Sequence, residues 1–232
     1  MDENRGEDQM KKIIDLTHNI EEGMLTFNAY WHTQVSITQM GKIDSEGRET
    51  RKLVLGTHTG THMDAPLHFI RGGGTVDNIQ LDKLVGEVTI VDFSALANSG
   101  SDASVTKEML EKIQISNRML FKFGWGKHWN TDRFYKGYPH FTKEAAEYLV
   151  SKDVQLIGMD TASPDDGRIK IKEVLGTEQD SPVHKIFLKN NTVIVEYLNL
   201  EEVTEYEGWN IAALPLKIKG ADGSSSRVIL FK

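Results

Sequence analysis

The chain has no cysteine among its 232 residues. This removes disulfide scaffolds, thiolate nucleophiles, Cys-ligated zinc fingers and iron–sulfur clusters, so any metal must be held by nitrogen and oxygen. Proline is sparse, at five residues, and none of it gathers into a linker. Positive charge is in deficit: 27 Lys and Arg face 34 Asp and Glu, a formal net charge of −7. A net anion gains neither phosphate attraction nor counterion release, which argues against nucleic acid or an anionic membrane as partner. Long hydrophobic runs are missing too. The longest, around Ile194–Val195 and Ile211–Leu214, fall far short of the ~20 residues a spanning helix needs. Met1–Lys12 is polar and charged, without the apolar stretch of a signal peptide. The expectation is therefore a disordered tail over residues 1–11, a single domain over 12–232, and a cytoplasmic setting.

What the chain does have is an ordinary globular composition, 39% hydrophobic and 26% charged. Short β-branched runs recur at Lys12–Leu16, Gln34–Gln39, Arg51–Leu55, Glu87–Asp92, Met119–Phe123, Gln155–Met159, Thr192–Glu196 and Val228–Phe231, and they read as strands. Two stretches read as helices, Thr106–Ile113 and Thr142–Lys152. Each opens on a threonine able to cap its N-terminus and carries an apolar stripe at helical spacing. Strands outnumber helices and each helix sits between strands, so the pattern predicts a mixed α/β fold with helices packed on a sheet.

The most informative stretch runs from Gly56 to Phe69. His58, His62, His68 and Asp64 fall within eleven positions. His58 and His62 would share a helix face, but Thr59, Gly60, Thr61 and Pro66 disfavour a helix there. The better reading is a strand, Arg51–Leu55, leading into an irregular loop, with His62 and Asp64 on one side of an extended segment. Neutral imidazoles and a carboxylate form a donor set for Zn²⁺, Mn²⁺ or Fe²⁺, and a carboxylate can bridge two ions. Glu196 follows three β-branched residues, so it sits in or at the end of a buried strand, where a carboxylate needs a partner or a metal.

The run His58-Thr59-Gly60-Thr61-His62-Met63-Asp64-Ala65-Pro66-Leu67-His68 resembles the H-x-G-T-H-x-D-A-P-x-H signature of the cyclase-like metal-dependent hydrolases, which include bacterial kynurenine formamidases and isatin hydrolases. Ile14–His18, Gly124-Trp125 with Trp129 and Thr131-Asp132, and Gly158–Ser163 resemble further segments of that family, so the likeness covers roughly residues 12–232. The resemblance implies a swivelling β/β/α arrangement, a sheet-rich, barrel-like core with peripheral helices. It implies one or two divalent ions, zinc first and manganese second, on His58, His62, Asp64, His184 and Glu196, with Asp64 and Glu196 placed to bridge. It leaves His68 unligated as general acid/base. The activity it implies is hydrolysis of a C–N amide bond, in a linear aryl formamide or a cyclic isatin-like lactam, by a metal-activated water. A homodimer or higher homo-oligomer is implied as well.

Phe27, Tyr30 and Trp31, with His32 beside them, form one aromatic group; Trp125 and Trp129 form another. Such rings can stack on a planar substrate, and Trp31 and Phe27 are the candidate substrate contacts. His18, His128 and His140 lack metal spacing and read as surface or structural residues. Two departures from the family pattern stand out. The C-terminal turn Gly220–Arg227 keeps its glycines and Arg227 but lacks the proline of a Gly-Ser-Pro-x-Arg turn. The segment around Asn28–Trp31 lacks the Pro-rich stretch of kynurenine formamidases, which shifts the expectation from N-formylkynurenine toward isatin-like lactams and other cyclic or aryl amides. The residues alone leave open a non-catalytic metal- or small-molecule-binding module, and a metal-dependent lyase on the same scaffold.

Overall fold

β-branched residues recur in most strands of a computed structural model that describes residues 12–100 and 103–232. The expected tail at 1–11 lies outside the described residues. In chain order the strands are β1 (Ile13–Asp15), β2 (Ser36–Gly41), β3 (Thr50–Val54), β4 (His62–Asp64), β5 (Val85–Glu87), β6 (Thr89–Asp92), β7 (Ser104–Val105), β8 (Arg118–Lys122), β9 (His140–Phe141), β10 (Leu156–Met159), β11 (Val193–Glu196), β12 (Asn210–Pro215) and β13 (Gly223–Phe231). The helices are α1 (Ile43–Glu46), α2 (Leu81–Leu84), α3 (Lys107–Leu110), α4 (Lys143–Ser151), α5 (Ile171–Val174) and α6 (Pro182–Lys189). None of the described helices is long and apolar enough to cross a membrane.

Nine strands form one sheet in the order β5-β12-β13-β4-β11-β10-β8-β6, with β1 added on β13. The two ends of this order, β5 and β6, are consecutive in the chain with only Val88 between them, so the sheet curls back toward itself into a nearly closed barrel. This is the mixed α/β, barrel-like class expected. One half is parallel, through β6, β8, β10 and β11. Parallel neighbours need crossover connections, and the segments carrying α3, α4 and α6 supply them. The other half is antiparallel.

Both faces of the sheet are apolar. Leu120, Leu156, Val193 and Val195 belong to one buried cluster with Trp209 and Leu230. Their alternating neighbours Met119, Phe121, Ile157 and Ile194 belong to another, with Phe187 of α6 and Leu149 of α4. Strand residues thus divide between an inner core and a helix-covered outer face, as the side-chain period of two requires.

The expected elements differ from the observed ones in two places here. Glu87–Asp92 is split between β5 and β6, because β5 pairs antiparallel with β12 at one end of the sheet and β6 parallel with β8 at the other. The helix expected at Thr106–Ile113 is only Lys107–Leu110, and Thr106 makes no side-chain cap bond. Thr142, by contrast, accepts a bond from the Ala145 N–H at 3.1 Å and starts α4 as expected.

Candidate metal centre

The second half of the histidine motif is a buried strand rather than an irregular loop. β4 lies between β11 and β13, in the registers Asp64↔Ile194, Met63↔Val195, His62↔Glu196 and Asp64↔Gly223. Period two sends Met63 and Val195 into the inner core and puts His62, Asp64 and Glu196 together on the other face. Glu196 is the last residue of β11, as its Val-Ile-Val run predicted, and is buried. His184 arrives from the first turn of α6. The helix opens on Ser181 and Pro182, and the Asp165 carboxylate accepts from the N–H groups of Val183 (2.8 Å) and His184 (3.1 Å). His58 comes from the loop before β4, which Thr61 pins by donating its hydroxyl to the Tyr197 carbonyl at 2.6 Å. His68 ends a 3₁₀ turn, Pro66–His68.

Five side chains converge. Asp64 Oδ1 lies 2.7 Å from His58 Nδ1 and 3.4 Å from His62 Nε2. His184 Nε2 lies 3.3 Å from Asp64 Oδ2 and 3.1 Å from Glu196 Oε1. His62 Nε2 lies 3.2 Å from Glu196 Oε2. Asp64 Oδ2 and Glu196 Oε1 are nonetheless buried without a hydrogen-bond partner, although buried carboxylate oxygens are ordinarily satisfied. The far nitrogen of each imidazole is anchored on an acceptor: His58 Nε2 on Asp222 Oδ2 (2.8 Å), His62 Nδ1 on the Gly60 carbonyl (2.8 Å), and His184 Nδ1 on Asp165 Oδ2 (2.6 Å). Acceptor-only oxygens hold a proton on those nitrogens and turn the near ones, the sites able to offer a lone pair, toward the carboxylates: His184 Nε2 faces both orphaned oxygens, whereas His58 Nδ1 faces Asp64 Oδ1 and His62 Nε2 faces Asp64 Oδ1 and Glu196 Oε2. Converging lone pairs around unpaired buried anions fit a divalent cation.

The electrostatics agree. Burial alone would lower the imidazole of His62, but Asp64 and Glu196 outweigh it and push it up to about 10. His58 and His184 are raised against the same burial, His58 by Asp64 and Asp222 and His184 by Asp165, Asp64 and Glu196. Burial and Asp64 would raise the Glu196 carboxyl, but His184 and His62 hold it below its ordinary value. The carboxylate pair thus demands positive charge, which protons or a metal ion can supply.

A cavity of about 1130 Å³ opens onto this cluster; Phe27, Trp31, His32, Phe69 and Tyr138 are among its lining residues. The family model for "Cyclase" matches residues 14–166. The chain is 31% identical to cyclase-like protein 3 of Oryza sativa subsp. japonica, over 95% of this chain and 80% of that one. It is 30% identical to a kynurenine formamidase of Bacillus thuringiensis subsp. konkukian, over 82% of this chain and 83% of that protein. The chain belongs to the cyclase family. Among solved structures, isatin hydrolase A from Ralstonia solanacearum superposes with a TM-score of 0.81 at 26% identity, covering 95% of this chain and 92% of that one.

In this cyclase-family chain the fold brings His58, His62, Asp64, His184 and Glu196 together, with the His68 ring stacked 3.8 Å from that of His58. Phe27 and Trp31 line the cavity. The second aromatic group does not: Trp125 is buried with its indole N–H on the Phe134 carbonyl (2.9 Å), and Trp129 stacks on His18 at 4.2 Å. His140 is buried near Asp166, so of the three histidines set aside, it and His18 have structural settings.

Two acidic residues escaped the sequence reading, Asp165 and Asp222. Both touch imidazoles across long sequence separations. The C-terminal loop that carries Asp222 is pinned despite its missing proline. The Ala65 N–H donates to the Asp222 carbonyl (2.9 Å), and the Gly220 N–H donates to Asp77 (2.9 Å). Gly223 is required by close approach. A Cβ there would sit 2.7 Å from both His58 Cε1 and the Met63 carbonyl. Gly223→Ala is expected to cost about 1–3 kcal/mol of stability by overpacking and to weaken metal binding by displacing His58. Chemical denaturation and metal titration of the purified variant check both effects.

Proposed function

We propose that this chain is a metal-dependent hydrolase that cleaves a C–N amide bond in a small planar carboxamide, either a linear aryl formamide or a cyclic isatin-like lactam. The observation that carries the reading is the set of three imidazoles, each anchored on its outer nitrogen, whose inner nitrogens converge on the carboxylates of Asp64 and Glu196, each of which keeps one unpaired buried oxygen, beside a large cavity. His58, His62, Asp64, His184 and Glu196 would hold one or two divalent ions. A divalent ion there supplies Lewis acidity, polarising a carbonyl and making a water acidic near neutral pH. His68 takes the proton from the water as it adds to the carbonyl carbon and returns it to the leaving nitrogen. Imidazole exchanges protons near neutrality, which suits both duties. Phe27 and Trp31 offer faces on which a planar substrate can stack.

Zinc is our first choice of metal and manganese our second, since affinity for nitrogen and oxygen donors rises from manganese to zinc. We also read the protein as a homodimer or higher. This is supported by the β2–β3 hairpin, all of whose β3 residues are exposed, Leu53 and Val54 included, whereas a two-stranded ribbon is marginal on its own in water.

Metal affinity should rise with pH. The near nitrogens of His58, His62 and His184 must shed protons to bind an ion, and all three imidazoles are raised, His62 to about 10. Protons therefore compete with metal from below neutrality up to the raised His62 value of about 10. Calorimetry in buffers of different ionisation enthalpy should record proton release on Zn²⁺ binding; affinity independent of pH would contradict the ligand set. The activity is tested by a panel of N-formylkynurenine, isatin and simple aryl formamides with the zinc- or manganese-loaded protein. Turnover of at least one, abolished by chelation, supports the reading. Inertness toward all of them, with metal bound, would favour a binding module.

A further inference from the structure

One oxygen of Asp222 serves two imidazoles with different duties. Its Oδ2 lies 2.8 Å from His58 Nε2 and 3.2 Å from His68 Nδ1. We propose that Asp222 is a positioning residue that fixes His58 with Nδ1 facing Asp64 and, through the same oxygen, holds His68 stacked on His58 with Nε2 as its free nitrogen. This rests on the metal-hydrolase reading above and extends it from the ligands to the proton carrier.

A carboxylate oxygen only accepts, so both ring nitrogens facing it carry hydrogens. His58 Nδ1 is then left for the cluster, at 2.7 Å from Asp64 Oδ1, and His68 keeps Nε2 bare for proton transfer. The ring centroids stand 3.8 Å apart and 30° from parallel, so the two histidines are one stacked unit clamped by one oxygen. Gly60 and Asp165 anchor His62 and His184, but neither is hydrogen-bonded to His68. Asp222 is itself well placed to be rigid. Its carbonyl accepts the Ala65 N–H, and Gly223 beside it is registered against Asp64 on β4. Outer partners of this kind typically govern metal affinity by about 10–100-fold.

The test uses the full-length protein and its Asp222→Asn and Asp222→Ala variants, with circular dichroism confirming the fold. Competition with a chelator should show Zn²⁺ binding weakened by about 10–100-fold in both. At saturating Zn²⁺, kcat should still fall by about 10-fold or more with KM little changed, because proton transfer stays impaired. In a His68→Ala background, Asp222→Ala should weaken Zn²⁺ binding again but lower kcat no further, the non-additivity of two residues acting as a unit. Unchanged Zn²⁺ affinity and kcat, or fully additive kcat losses, would overturn the proposal. Ring ¹⁵N shifts of His58 and His68 in metal-free protein separate it from the wider reading. Shifts that move in Asp222→Asn support the clamp even if the wild type held no metal, and unmoved shifts refute it even if the enzyme is active.

Discussion

Asp64→Asn is expected to remove the metal and nearly all turnover. Asp64 is the centre of the cluster, within 2.7–3.4 Å of nitrogens on His58, His62 and His184. Burial would raise its carboxyl, yet His58 and His68, with a hydrogen bond from His184, hold it well below the usual carboxylate range. Asparagine keeps the volume but loses the charge, and its NH₂ group would point a donor where a lone pair is needed. The loss of several kcal/mol of charge stabilisation corresponds to a drop in kcat on the order of 10³-fold or more. Without metal, the variant should also melt below the metal-free wild type, since removing one partner of a buried ion pair costs about 3–5 kcal/mol. Elemental analysis, turnover and thermal melting measure the three effects. Stoichiometric tight metal in the variant would remove Asp64 from the ligand set.

His68→Ala is expected to behave differently. It should keep its metal and lose about 10²–10⁴-fold in turnover, the range for removing a general acid/base. The geometry makes this a real choice, because donor atoms of His58, Asp64 and His68 also lie within 4.8 Å of one another and could hold an ion. Elemental analysis decides: metal retained with turnover lost assigns His68 to proton transfer, whereas metal lost makes it a ligand. The contrast with Asp64→Asn, which should lose both, is the more informative because each variant controls for the other.

The residues of the site were unevenly legible in the sequence. His62 and Asp64 could be placed on one side of an extended segment because a period of two is local, and Glu196 could be put at a buried strand end from its Val-Ile-Val run. His184 was reached through family resemblance, although Ser181-Pro182 is a helix-start signal and its helix, α6, holds the imidazole on the cluster. Asp222 carried no local signal at all. It sits among small loop residues and meets His58 across 164 positions, a contact made only by the pairing of β13 with β4. Asp165 was hidden in the same way, in a turn whose sequence reads as surface. In the fold, strands with a strong β-branched pattern were recovered, while Val88 could not be recognised as the break between two ends of a curled sheet, because that depends on partners far along the chain. The net charge of −7 also proved a poor guide to the site, where Asp64 and Glu196 would be offset by any cation they hold.

The imidazole–carboxylate cluster is expected to work by holding a divalent ion for amide hydrolysis. The most direct measurement strips the purified protein of metal with a chelator, restores Zn²⁺ or Mn²⁺ in sub-stoichiometric steps, and follows hydrolysis of an aryl formamide or isatin at each step. No turnover is expected in the stripped protein, and activity should rise in proportion to metal until one or two ions are bound per chain. Turnover that survives complete removal of the metal, or a protein that takes up no divalent ion, would contradict it.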